Sequence, residues 1–224
     1  MNIRIFTGEK EFLAAGVEFV EQVCLIDSQT INIALSGGTT PKKLYKALAG
    51  SPRVPFEKIE FWQVDERYVS SESSDSNAKL IKETLIQPAP KKPKAFHFFD
   101  TSLPRDESLK KYEEELSHLE DGFDLVILGI GSDGHTASLF PKSRALKEEK
   151  RSVAHTTTDH FPEKDRLTLT FPPILKSKKI LVLLKGEEKA KILSQLSNPK
   201  KPVENFPAKK LLEHASLRVF FCNE

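Results

Sequence analysis

The chain has 224 residues, 38% hydrophobic and 29% charged, with a formal net charge of +2 at pH 7. That is too much apolar material for a disordered chain, and the length favours one domain, residues 1–224, over two. The small, scattered basic excess argues against a nucleic-acid partner, no run approaches the ~18 apolar residues of a membrane span, and two distant cysteines, Cys24 and Cys222, supply neither a disulfide framework nor a zinc spacing.

A soluble, cytoplasmic protein is therefore expected. Asn2–Thr7 reads as a strand, and Phe12, Gly16, Phe19 and Val23 then fall at helical spacing. Thr30–Leu35 is a buried-type strand, and Pro41 marks a helix start with Thr39 or Thr40 as N-cap. Lys58–Val64 is the next strand, and Ser76 is placed to cap a helix running to about Ile86. A short strand at Ala95–Phe99 precedes a charged helix from Pro104 to about Leu119. Phe123–Leu128 is the most apolar strand. Arg166–Thr170, Ile180–Leu184 and Leu217–Cys222 read as strands, with a helix over Gly186–Leu196. Lys142–Lys164 is the least regular stretch and is expected to be a surface insertion or lid. The alternation predicts an α/β fold with a mostly parallel sheet and helices on both faces.

Ligands bind such sheets beyond the carboxyl ends of the strands, so chemistry is sought just after each strand. Ser36-Gly37-Gly38-Thr39-Thr40-Pro41 joins a strand to a helix. Glycines let the backbone approach an anion, and a helix start offers free N–H groups and the positive end of a dipole. Ser36, Thr39 and Thr40 add hydroxyl donors. A plain strand-to-helix turn with a capping threonine fits the same residues. The Gly-Lys-Ser/Thr ending of a nucleotide P-loop is missing, so a monophosphate fits better than a nucleotide triphosphate. Val64-Asp65-Glu66-Arg67 puts charge at a second strand end. It reads either as a solvated loop or as a site in which Arg67 stabilises an oxyanion or holds a carboxylate or phosphate oxygen.

The sharpest signal is Gly129-Ile130-Gly131-Ser132-Asp133-Gly134-His135. Its three glycines share the spacing of a dinucleotide fingerprint. Asp133, however, would set a negative charge inside the turn meant for pyrophosphate, and the motif lies midway along the chain, so no nicotinamide cofactor is expected. His135 instead falls at the carboxyl edge of the sheet, where an imidazole can take a proton from water near neutral pH, oriented by Asp133. His97 and His118 read as structural. His155, Asp159 and His160 lack a metal spacing, and no metal is expected. No Gly-x-Ser-x-Gly elbow occurs, which argues against a serine-hydrolase triad.

At these clusters the sequence resembles the 6-phosphogluconolactonase family of the wider glucosamine-6-phosphate isomerase/deaminase superfamily. The matching stretches are LSGGTTPKKLY, FWQVDERYV with DSNAKL, and FDLVILGIGSDGHTASLFP, with weaker matches at RLTLT, ILVLLKGEEKAKIL and PAKKLLEH. The resemblance spans nearly the whole chain. It implies a modified Rossmann-like, doubly wound fold without NAD, hydrolysing 6-phospho-D-glucono-1,5-lactone in the pentose phosphate pathway. His135 matches the family's general base and Arg67 an active-site arginine. Arg166 and Lys189 match basic residues that hold the phosphate beside Ser36–Thr40, and Asn77 lies in the matching DSN stretch. Should His135 not be the base, Asp65 is the next candidate.

Two positions depart from the family. Thr39 stands where many members carry arginine or serine, and Lys142 where glycine is usual. The deaminase branch is the alternative, but it places an acid five residues after the histidine, where this chain has Phe140, and a tyrosine where this chain has Arg67. A non-catalytic sugar-phosphate sensor of this fold would carry a DNA-binding module, for which the sequence has no spare residues. The implied partner is a small phosphorylated sugar lactone, and the protein is expected to be a monomer or small homo-oligomer.

Overall fold

The computed structural model describes residues 1–25, 28–198 and 200–224. Seven strands form a parallel sheet: β1 (Asn2–Phe6), β2 (Ile31–Leu35), β3 (Ile59–Gln63), β5 (Ala95–His97), β6 (Leu125–Leu128), β9 (Ile180–Lys185) and β10 (Leu217–Cys222). Their order across the sheet is β1-β10-β9-β6-β2-β3-β5. The chain builds outward from β2 through β3 to β5, then returns to the other side of β2 as β6. The crevice between β2 and β6 is therefore the topological switch point, where open α/β sheets bind ligands.

Successive side chains of a strand point to opposite faces, and the buried strands use both. On β6, Leu125 and Ile127 join one core with Ile33, Leu35 and Phe61. Val126 and Leu128 join the other with Trp62, Val182 and Val219. The first core is covered by α1 (Glu9–Val23), α2 (Thr39–Ala49) and α3 (Asn77–Ile81), the last continuing as a π-helical turn over Lys82–Ile86. The second is covered by α4 (Arg105–Ser117), α5 (Phe171–Leu175) and α6 (Glu188–Ser197). The doubly wound expectation holds. Ser76 caps α3 as expected, its hydroxyl accepting from the Lys79 N–H at 3.2 Å. Both cysteines are buried and unpaired, and burial pushes the Cys24 thiol up to about 12.

Three expectations are corrected. The strand expected over Arg166–Thr170 is β8 (Asp165–Leu169). It lies outside the parallel sheet and pairs antiparallel with β4 (Asp65–Arg67) and β7 (Val153–Thr157). The stretch 142–164 is accordingly not an irregular insertion, since β7 lies within it and supplies the outer strand of this small sheet. Helix α2 begins at Thr39, with Gly38 rather than a threonine as its cap. Gly38 has φ +109°, a left-handed conformation that glycine adopts without steric cost, so the chain turns into the helix before either threonine.

Candidate active site

A cleft of about 310 Å³ opens at the switch point, lined by the loops that follow β2 and β6, by the small sheet, and by Asn77, Leu183 and Lys189. It gathers Ser36–Thr40, Asp65, Arg67, Asn77, His135, Arg166 and Lys189. Asp133 stands behind His135 as its hydrogen-bond partner. Every site residue expected from the sequence thus comes to one place.

At the first loop, Gly38 offers no side chain to cap α2. Thr39 and Thr40, whose first-turn N–H groups a helix leaves without internal partners, line the cleft. The Ser36 hydroxyl corrects an expectation. It donates to the Ile127 carbonyl at 2.9 Å, so its proton ties β2 to β6 and is not directed to a ligand. Ser36 is held further by its own carbonyl, which accepts from Tyr45 at 2.6 Å.

The acidic strand end does two jobs that the sequence did not separate. Asp65 is buried, and its Oδ2 accepts from Ser138 at 2.6 Å, pinning the loop after His135 to β4. Glu66, which sequence reasoning missed, turns away from the cleft. Its carboxylate accepts from the backbone N–H groups of Arg67, Asn77 and Ala78 at 2.7–2.8 Å, and from Gln63 Nε2 and Ser76 Oγ. Burial nonetheless raises its pKa, the hydrogen bonds opposing that shift. No local spacing marks Glu66, because most of its partners arrive from a segment ten to twelve residues on. The result is that Arg67 and Asn77 are fixed relative to each other. Asn77 is 1% exposed, and its amide donates to the Asp65 carbonyl at 2.9 Å.

Register brings two cations together: Arg67 on β4 lies directly opposite Arg166 on β8. Like charges paired across strands are unfavourable unless something neutralises them. Burial, and next the Arg67 charge, pushes the Arg166 pKa below the ordinary arginine value. Arg67 Nη1 donates to the Asp75 carbonyl at 2.6 Å, and Arg166 Nε to the Glu163 carbonyl at 2.8 Å. Lys189, in the first turn of α6, donates to the Ile130 carbonyl at 2.9 Å with one of its three protons. Arg67 Nε, Asn77 Oδ1 and Asp133 Oδ2 are buried without partners among the described residues. Buried polar groups are normally satisfied, so their concentration here marks a place built for a polar ligand or water.

The His135 ring is held on three sides. Nδ1 sits 2.5 Å from Asp133 Oδ1, which also accepts the His135 backbone N–H at 3.1 Å. Phe140 and Phe161 flank it, with ring centres at 4.7 and 5.4 Å. An ionised aspartate is an acceptor only, so Nδ1 donates to it, and in the neutral ring Nε2 is the nitrogen left with a lone pair. Burial acts to raise the Asp133 pKa, but the hydrogen bond and charge of His135 outweigh it, and the net direction is down.

The glycines shared with a dinucleotide fingerprint do other work. A Cβ on Gly131 would fall 2.1 Å from His135 Cε1, and one on Gly134 would fall 2.3 Å from Phe206. These two glycines make room for the protein's own side chains. Among the described residues no three His, Cys, Asp or Glu side chains are grouped to hold a metal ion. His155 pairs with Asp165 at 2.8 Å and Asp159 with Lys164 at 3.0 Å.

The fold and cleft together define a Rossmann-like α/β protein whose switch-point crevice is cationic and carries a histidine–aspartate pair. The chain belongs to the family of glucosamine-6-phosphate isomerases/6-phosphogluconolactonase, whose profile matches residues 10–220. Within it, a probable 6-phosphogluconolactonase of Dictyostelium discoideum is 34% identical over 98% of this chain and 97% of its own length. The crystal structure of a 6-phosphogluconolactonase from Thermotoga maritima superposes with a TM-score of 0.87 at 32% identity, covering 100% of this chain and 99% of that one. A monomeric glucosamine-6-phosphate deaminase superposes equally well, with a TM-score of 0.87, over 99% of this chain and 97% of its own. At 23% identity that likeness is one of fold alone.

Proposed function

We propose that this chain hydrolyses 6-phospho-D-glucono-1,5-lactone to 6-phosphogluconate, as a single-domain cytoplasmic enzyme of the pentose phosphate pathway. The observation that carries the reading is a histidine hydrogen-bonded to Asp133, standing in one cleft with two arginines paired across β4 and β8. In this reading His135 Nε2 takes a proton from water as the water oxygen bonds to the lactone carbonyl carbon. The carbonyl oxygen becomes an oxyanion, stabilised by Arg67 or by backbone N–H groups near Gly37. Collapse restores the carbonyl and breaks the ring C–O bond, and the departing oxygen takes the proton back from His135. General-base help of this kind contributes about 10²–10⁴-fold and an oxyanion contact about 10²–10³-fold. A lactone is an activated ester, so the scheme calls on no metal. Arg166, Lys189 and the α2 N-terminus hold the phosphate.

The position five residues after His135 favours hydrolysis over deamination. It is Phe140, buried and packed on the imidazole, where ring opening and isomerisation would need an acid. The test is an assay of freshly generated phosphogluconolactone, corrected for spontaneous opening, beside glucosamine-6-phosphate deamination. Hydrolysis is expected, falling about 10²–10⁴-fold in kcat in His135→Ala with KM largely kept. Near-native turnover in that variant moves the base elsewhere, Asp65 first. Deamination in place of hydrolysis refutes the reading.

A further inference from the structure

The loop 158–164 joins β7 to β8, closed at its base by the Thr158 N–H donating to the Lys164 carbonyl at 3.1 Å. From it Phe161 reaches into the cleft. Its ring stands edge-on to His135, at 5.4 Å and 78°, and tilted against Phe140 at 6.1 Å. The Arg166 guanidinium carbon lies 6.0 Å from the same ring, at the outer reach of a cation–π contact. Arg166 is also bonded through Nε to the Glu163 carbonyl of this loop.

One short segment therefore touches both ends of the chemistry. An anion that draws on Arg166 acts on the loop backbone at Glu163 and on the Phe161 ring. The Phe161 ring in turn forms one wall around the imidazole. Phe140 stands at another side of the imidazole and Asp133 on its Nδ1.

We propose that Phe161 is a positioning residue coupling occupancy of the phosphate end of the cleft to the His135 base, so that the phosphorylated lactone is favoured in turnover as well as in binding. The inference rests on the hydrolytic reading above, with His135 as base. A ring that merely filled space would serve phosphorylated and unphosphorylated lactones alike.

The experiment measures kcat and KM for 6-phosphogluconolactone and for glucono-1,5-lactone with the native protein, Phe161→Ala, Phe161→Tyr and His135→Ala. Thermal melts confirm that each variant is folded, as expected for a part-exposed loop residue. A lost aromatic contact corresponds to about a 2- to 12-fold change. Phe161→Ala should lose about that factor in kcat on the phosphorylated lactone with KM little changed, should lose less on the unphosphorylated one, and Phe161→Tyr should restore the difference. Equal losses on both lactones, or a loss confined to KM, would overturn the coupling while leaving the hydrolytic reading intact. Native turnover in His135→Ala would overturn the coupling and the base assignment together.

Discussion

Gly131→Ala should disable the base while sparing the residues assigned to the phosphate. Gly131 has no left-handed φ, so alanine can adopt its backbone. The obstacle is space: the new Cβ would lie 2.1 Å from His135 Cε1, 2.2 Å from Nδ1 and 2.9 Å from Asp133 Oδ1. Ordinary contact begins at 3.4 Å, so the imidazole must retreat by more than an ångström. The 2.5 Å contact to Asp133 cannot survive that displacement, and Phe140 and Phe161 occupy the flanks. A misplacement of about 1 Å costs roughly 10²-fold in rate. The expected result is a kcat about 10²-fold down with KM changed little, because the three atoms nearest the new methyl belong to His135 and Asp133, not to Arg166 or Lys189. Initial-rate hydrolysis of fresh lactone, with a thermal melt to show the variant folded, decides it. A folded variant with near-native kcat would refute either the ring position or its role.

Arg166→Ala and Lys189→Ala should each raise KM more than they lower kcat, and native protein should hydrolyse the unphosphorylated lactone poorly; equal efficiency on the two lactones would remove the phosphate site. Asp133 has a folded pKa below its unfolded value, so its stabilisation is present above the ordinary carboxyl range, about 3.9, and is lost as pH falls through the lower folded value. Asp133→Asn should thus be less stable than native protein near neutrality, with the gap in urea midpoint closing in acid; a gap that widens on acidification contradicts the sign. Lys142 holds φ +63°, a left-handed conformation that favours glycine. Relief of that strain, about 1 kcal/mol, less the extra entropy of glycine, about 0.5 kcal/mol, predicts that Lys142→Gly raises Tm by about 1–2 °C. A fall in Tm would show that the lysine side chain holds the loop.

Much of this molecule was legible in its sequence because much of it is local. The parallel strands are short apolar runs whose ends are marked by glycine or charge, and α3 announces its own cap at Ser76. The histidine and its aspartate are two residues apart, so a tight turn alone brings Nδ1 onto Oδ1. The glycine loops lie directly after β2 and β6, and the rule that ligands sit at strand ends finds them without a structure.

What the tertiary structure decided is whatever depends on which segments meet. Arg166–Thr170 alternates as any strand does, and periodicity does not distinguish a parallel from an antiparallel partner. Pairing with β4 is what sets Arg166 directly opposite Arg67, two cations far apart in the sequence. The same pairing places the β7–β8 loop, and Phe161 with it, against His135. Glu66 read as surface charge beside Asp65 and Arg67, and became a buried acceptor only when α3 folded its N–H groups back onto it. Local patterns record how each segment hides its own apolar side. Register between distant segments comes from joint burial of surfaces that no window of neighbouring residues contains.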